Sequence, residues 1–100
     1  MRITEDEISI IKKLAVDCFG NGTKVFLFGS RVRDNKKGGD IDLFITNYKK
    51  TDLSFSAKIE FLTELKSLIG EQKIDVILDS DKLRSKKQFY KSVRKEAVEL

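Results

Sequence analysis

Apolar residues along this chain recur at two different spacings, and the change from one to the other predicts its elements. Over residues 4–19, Ile8, Ile11, Ala15 and Cys18 return every three or four positions. Ile10 and Leu14 widen that stripe, which predicts an amphipathic helix. Thr4 and Glu7 have the spacing of a capping box, and Gly20-Asn21-Gly22 stops the helix. Val25 to Phe28 is a short apolar run that predicts a strand. Gly29 to Gly39 is polar with a glycine at each end, and Asp40 to Thr46 predicts a second strand. A second helix is predicted over residues 54–69, with Ser54 as its cap and Phe55, Ile59, Leu62, Leu65 and Ile69 facing inward. Gly70 ends it. Lys73 to Leu78 predicts a third strand. From about Asp81 a last helix is predicted, with Leu83, Tyr90, Val93, Ala97 and Leu100 on one side.

Strands alternating with helices in this order predict a small α/β (α+β) sheet covered by helices. With 100 residues the chain suits one compact domain, expected over residues 1–100. No apolar run approaches the roughly 18 residues of a membrane span. The acidic, helix-like start MRITEDEIS is unlike a signal peptide. Cys18 is the single cysteine, which excludes an internal disulfide and favours a small core residue over a reactive thiol. These features together place the expected compartment in the cytoplasm.

Histidine is absent, which removes the commonest general base and the commonest zinc ligand. Any metal must then be held by oxygen, which favours magnesium, manganese or calcium. The net charge of +4 is unevenly placed. Basic and acidic side chains balance at thirteen each through residue 80, so the excess lies in DKLRSKKQFYKSVRKEAVEL. A basic end can meet nucleic acid, nucleotide phosphates or an acidic partner, although a solvated helix face is its simplest reading.

The chemistry centres on GGDIDLFI, residues 38–45. Side chains alternate across a strand, so Asp40 and Asp42 share a face with Phe44, while Ile41, Leu43 and Ile45 point to the core. Two carboxylates this close repel, and one of them is expected to resist ionisation until a divalent cation neutralises both. A cation held there can bridge to phosphate oxygens, which is the logic of a two-metal phosphoryl-transfer site. Such a site takes a third carboxylate. KIDVILD offers Asp75, which interrupts its apolar run as Asp42 interrupts the second strand, in preference to Asp79 nearer the strand end.

FLFGS precedes the acidic pair. Glycine at 29 permits close approach of backbone to a ligand, and Ser30 can donate its hydroxyl and its N–H to phosphate. Arg31 adds fixed positive charge suited to phosphate oxygens, whereas Arg33 fits surface pairing better. Gly29-Ser30, nine intervening residues, Asp40-x-Asp42 and a later strand aspartate together resemble the DNA polymerase β superfamily of nucleotidyltransferases, most of all its minimal, MNT-type members. The resemblance covers residues 25–79 and the helix before them.

That resemblance implies a polymerase β-like fold, a mixed sheet flanked by helices, with two Mg2+ ions as cofactor and a nucleoside triphosphate, expected to be ATP, as substrate. It implies that Asp40 and Asp42 bind metal and triphosphate. Asp75 would hold the second metal and position or deprotonate the accepting hydroxyl, and Gly29 and Ser30 would bind phosphate. Many relatives carry Ser-Asp-Ile-Asp ten residues after Gly-Ser. Here glycine replaces that serine and the loop is one residue shorter, which leaves the loop freer. Minimal transferases often pair with a small helical HEPN protein as a toxin–antitoxin couple, in which the transferase is the antitoxin and moves AMP to a tyrosine of the toxin.

Three functions follow as expectations. The first is a protein adenylyltransferase-like enzyme acting as an antitoxin. The second is a module of the same fold that neutralises its partner by contact alone. The third is a small basic nucleic-acid-binding protein, weakened because aromatic residues suited to stacking are few, Tyr48 and Tyr90 being the exceptions.

Overall fold

The computed structural model describes residues 3–28, 41–49, 52–70, 72–79, 91 and 95–100. Its elements are α1 (Glu5–Phe19), β1 (Lys24–Phe28), β2 (Ile41–Thr46), α2 (Phe55–Ile69), β3 (Ile74–Leu78) and β4 (Val98–Glu99). The strands form one mixed sheet in the order β3-β2-β1-β4. β1 is antiparallel to both β2 and β4, whereas β2 and β3 are parallel. A parallel pair needs a crossover, and α2 supplies it.

Local signals set the helix ends. The Thr4 hydroxyl accepts the Glu7 N–H at 3.1 Å, and Glu7 Oε1 accepts the Thr4 N–H at 3.0 Å, closing the capping box. The Ser54 hydroxyl accepts the Ala57 N–H at 3.1 Å at the start of α2. Gly20 and Gly70 end the two helices at φ of +97° and +92°, a region in which a side chain would be strained.

Both helices pack on one face of the sheet. That face carries Val25 and Leu27 from β1, Ile41, Leu43 and Ile45 from β2, and Ile74, Val76 and Leu78 from β3, all buried. Ile11, Leu14, Ala15 and Phe19 of α1 close over them. From α2 the buried residues are Phe61 and Leu65, and the Phe19 and Phe61 rings meet at 5.6 Å between centroids. Burying a side chain of that size stabilises by about 1.5–3 kcal/mol.

Two expectations are corrected. α2 is turned relative to the stripe predicted for it. Phe55 is 72 % exposed and Ile59 47 % exposed, while Phe61, absent from that stripe, is fully buried. Apolar residues lie on more than one side of this helix, and the contact with Phe19 selects Phe61. The C-terminal helix also does not reach Leu100. Lys91, Lys95 and Glu96 are helical, but Val98 and Glu99 form β4, opposite Leu27 and Phe26, and Leu100 packs on the core. A β-branched residue beside an open strand edge gains a ladder that a fraying helix end lacks. Leu83, Tyr90 and Val93 lie outside the described residues. Among those described, no helix is long and apolar enough to cross a membrane.

Candidate active site

The face of the sheet opposite the helices carries the candidate site residues Asp42 and Asp75. Alternation along β2 sends Asp42, Phe44 and Thr46 to it, because Ile41, Leu43 and Ile45 are committed to the core. On β3 the same face carries Asp75 and Ile77, with Asp79 just past the strand end. The parallel register sets Asp42 directly opposite Asp75, on strands separated by about 4.8 Å. On its other side Asp42 pairs with Phe28, the last residue of β1. The C-terminal end of β1 and the N-terminal ends of β2 and β3 therefore converge on one edge of this face. Asp42 is half-buried there and Asp75 is exposed.

Asp79 shares the face but stands at the far end of β3. It is 7 % exposed, and its Oδ2 accepts the Thr46 hydroxyl at 2.9 Å. Its N–H donates to the Ile45 carbonyl at 2.9 Å. Asp79 thus ties the end of β3 to the end of β2, two side-chain rows from Asp42. Of the two β3 aspartates, Asp75 is the one opposite Asp42.

Between these rows the Phe26 and Phe44 rings meet edge to face, with centroids 6.3 Å apart and planes at 88°. Phe44 is buried, so an aromatic pair joins β1 to β2 immediately behind the acidic row.

Gly29, Ser30, Arg31, Arg33 and Asp40 lie outside the described residues. In the chain, Gly29-Ser30 follow Phe28 directly, and Asp40 precedes Ile41. Among the described residues no three acidic, cysteine or histidine side chains gather as a metal site. Asp42 and Asp75 do form a pair of oxygen donors, the ligand class that magnesium takes. A divalent cation shared by two carboxylates at opposed register positions would lower their mutual repulsion.

In the sequence Lys73 reads only as the first residue of a strand. Its carbonyl accepts the Ile41 N–H at 3.0 Å, so the β2–β3 ladder begins there. Alternation then places Lys73 on the face of Asp75. The Lys-x-Asp spacing, the same as in Asp-x-Asp, was the signal that could have found it.

Cys18 takes no part in this face. It is half-buried on α1 and packs against the core. Burial raises its thiol pKa, and Glu60, Glu64 and Asp17 raise it further. A thiol held protonated in this way is a poor nucleophile.

A comparison with curated proteins found no match to the chain. The family model described as polymerase beta, nucleotidyltransferase matches residues 9–100, which takes in most of α1, all of α2 and β1 to β4, and the Asp42–Asp75 pair. The chain belongs to the polymerase beta nucleotidyltransferase family.

Proposed function

We propose that this nucleotidyltransferase is of the minimal, MNT type, and that it moves AMP from ATP to a hydroxyl of a partner protein in a magnesium-dependent reaction. The observation that carries the proposal is the register opposition of Asp42 and Asp75 at the strand ends that adjoin Gly29-Ser30 and Asp40. Asp40, Asp42 and Asp75 would hold the magnesium ions. Bound there, magnesium would neutralise the triphosphate and the charge that develops as the α-phosphorus is attacked. Asp75, exposed at the open side of the pair, would orient the acceptor hydroxyl and take its proton. The new bond joins the acceptor oxygen to the α-phosphorus. The bond from that phosphorus to the β-phosphate bridging oxygen breaks, and pyrophosphate leaves. Ser30 and Arg31 would hold phosphate oxygens.

The partner we propose is a small helical toxin of the HEPN kind, with this chain as its antitoxin. The test is incubation with α-labelled ATP, magnesium and the product of the adjacent gene. Label on a tyrosine of that product, lost with Asp42→Asn, supports the proposal. Neutralisation of the partner by Asp42→Asn without any label would replace it with inhibition by contact alone.

A further inference from the structure

Lys73 is fixed at the acidic end of the sheet by its backbone. Its carbonyl is held by the Ile41 N–H at 3.0 Å. The preceding residue is clamped as well. Gln72 Nε2 donates to Glu7 Oε2 at 3.0 Å and to the Ile69 carbonyl at 3.2 Å. From this anchored position the Lys73 side chain, exposed, shares the face of Asp75 at about 7 Å along the strand. The segment Lys73-Ile74-Asp75 therefore brings one cation and one carboxylate to the edge at which Asp42 stands.

An ammonium in this position acts oppositely on two kinds of ligand. It repels a divalent cation that arrives alone and attracts the phosphate oxygens of one that arrives with a triphosphate. Lysine suits the second task, because its compact charge and three rotatable donors can follow phosphate oxygens without a fixed fork. We propose that Lys73 is a phosphate-binding residue of this site, and that it makes the site prefer the cation–nucleotide complex to the bare cation. The inference rests on the reading of the Asp42–Asp75 edge as a site for metal and triphosphate.

The test compares wild type, Lys73→Met, Lys73→Arg and Asp42→Asn, each checked for an intact melting transition. Mn2+ alone and the magnesium–ATP complex are titrated separately by calorimetry. Lys73→Met is expected to weaken magnesium–ATP binding about ten-fold, the effect of one lost charge-assisted hydrogen bond, and to tighten Mn2+ binding. Lys73→Arg should keep both affinities near wild type. Unchanged affinities in Lys73→Met overturn the inference, and so does a parallel loss of both, which marks a structural role. Binding in wild type that is lost in Asp42→Asn keeps the reading of the site whatever Lys73→Met does. Absence of magnesium–ATP binding in wild type overturns that reading and the inference with it.

Discussion

Asp42 and Asp75 are register partners across a parallel pair of strands. Their opposition follows from burial rather than from any bond between them. Ile41, Leu43 and Ile45 on one strand, and Ile74, Val76 and Leu78 on the other, are committed to the same core. A slip of one residue would turn either aspartate into that core and every partner out of it. The hydrophobic pattern thus sets two like charges side by side, an arrangement that a bound cation would relieve.

Asp75 and Asp79 should separate cleanly by substitution. Asp75→Asn removes a charge from an exposed position and is expected to leave the melting temperature nearly unchanged while abolishing nucleotidyl transfer. Asp79→Ala removes the buried acceptor of the Thr46 hydroxyl. It should cost about 1–2 kcal/mol of stability and keep transfer below the lowered melting point. Denaturant unfolding and a transfer assay on both variants decide the matter. Lost stability in Asp75→Asn with full transfer would reverse the assignment.

Legibility from sequence followed the length scale of each signal. The caps at Thr4 and Ser54 were readable because capping is local, set by side chains three residues from the groups they bind. Which faces of β2 and β3 meet the core was readable from alternation alone. The register between the strands was not, since nothing within KIDVILD says which β2 residue stands opposite Asp75. The turn of α2 was hidden for a related reason. Phe55 and Ile59 lie on one side of the helix and Phe61 and Leu68 on another, and contact with Phe19 of α1 favours the side of Phe61. β4 has two residues and no periodicity, so its pairing with β1 could not be seen in the chain.

Asn47 is expected to be among the most sensitive polar positions. It is 2 % exposed at the end of β2. Its Nδ2 donates to the Phe19 carbonyl at 3.2 Å, the Asn21 carbonyl at 3.2 Å and the Thr23 hydroxyl at 2.9 Å, and its Oδ1 accepts the Lys49 N–H at 2.9 Å. One amide therefore ties the turn between α1 and β1 to the exit of β2. Asn47→Ala should cost about 2–3 kcal/mol in urea unfolding, because buried acceptors lose their donor. Asn47→Asp should cost more at pH 7, since it turns a carboxylate toward two carbonyls. A change under 0.5 kcal/mol in both, measured to about that precision, would show that water replaces the amide at no cost.

Cys18 predicts a loss of stability in alkali. Burial, then Glu60, Glu64 and Asp17, raise its pKa in the folded chain above its ordinary value of 9.0. The folded state therefore keeps the proton to higher pH than the unfolded state does. This contribution is fully present below pH 9.0 and is lost as pH rises through the folded value. Unfolding midpoints of wild type and Cys18→Ala, followed from pH 8 to about 10.5, should diverge in slope, with wild type falling faster. Parallel slopes would mean that the thiol titrates alike in both states.

The ladder between β1 and β4 makes two adjacent residues unequal toward proline. The Leu100 N–H donates to the Val25 carbonyl at 2.9 Å. Hydrogen-bonded pairs alternate along an antiparallel ladder, so Val98 opposite Leu27 forms the next such pair. Glu99 opposite Phe26 falls between them, and its N–H points to the open edge of the sheet. Val98→Pro removes a donor that the ladder uses, whereas Glu99→Pro removes one that faces outward. Val98→Pro is expected to cost about 1 kcal/mol more than Glu99→Pro in denaturant unfolding. It should also speed amide exchange at Leu27, whose partner strand it loosens, while Glu99→Pro leaves that amide protected. Equal costs, or faster exchange in Glu99→Pro, would place β4 in the other register.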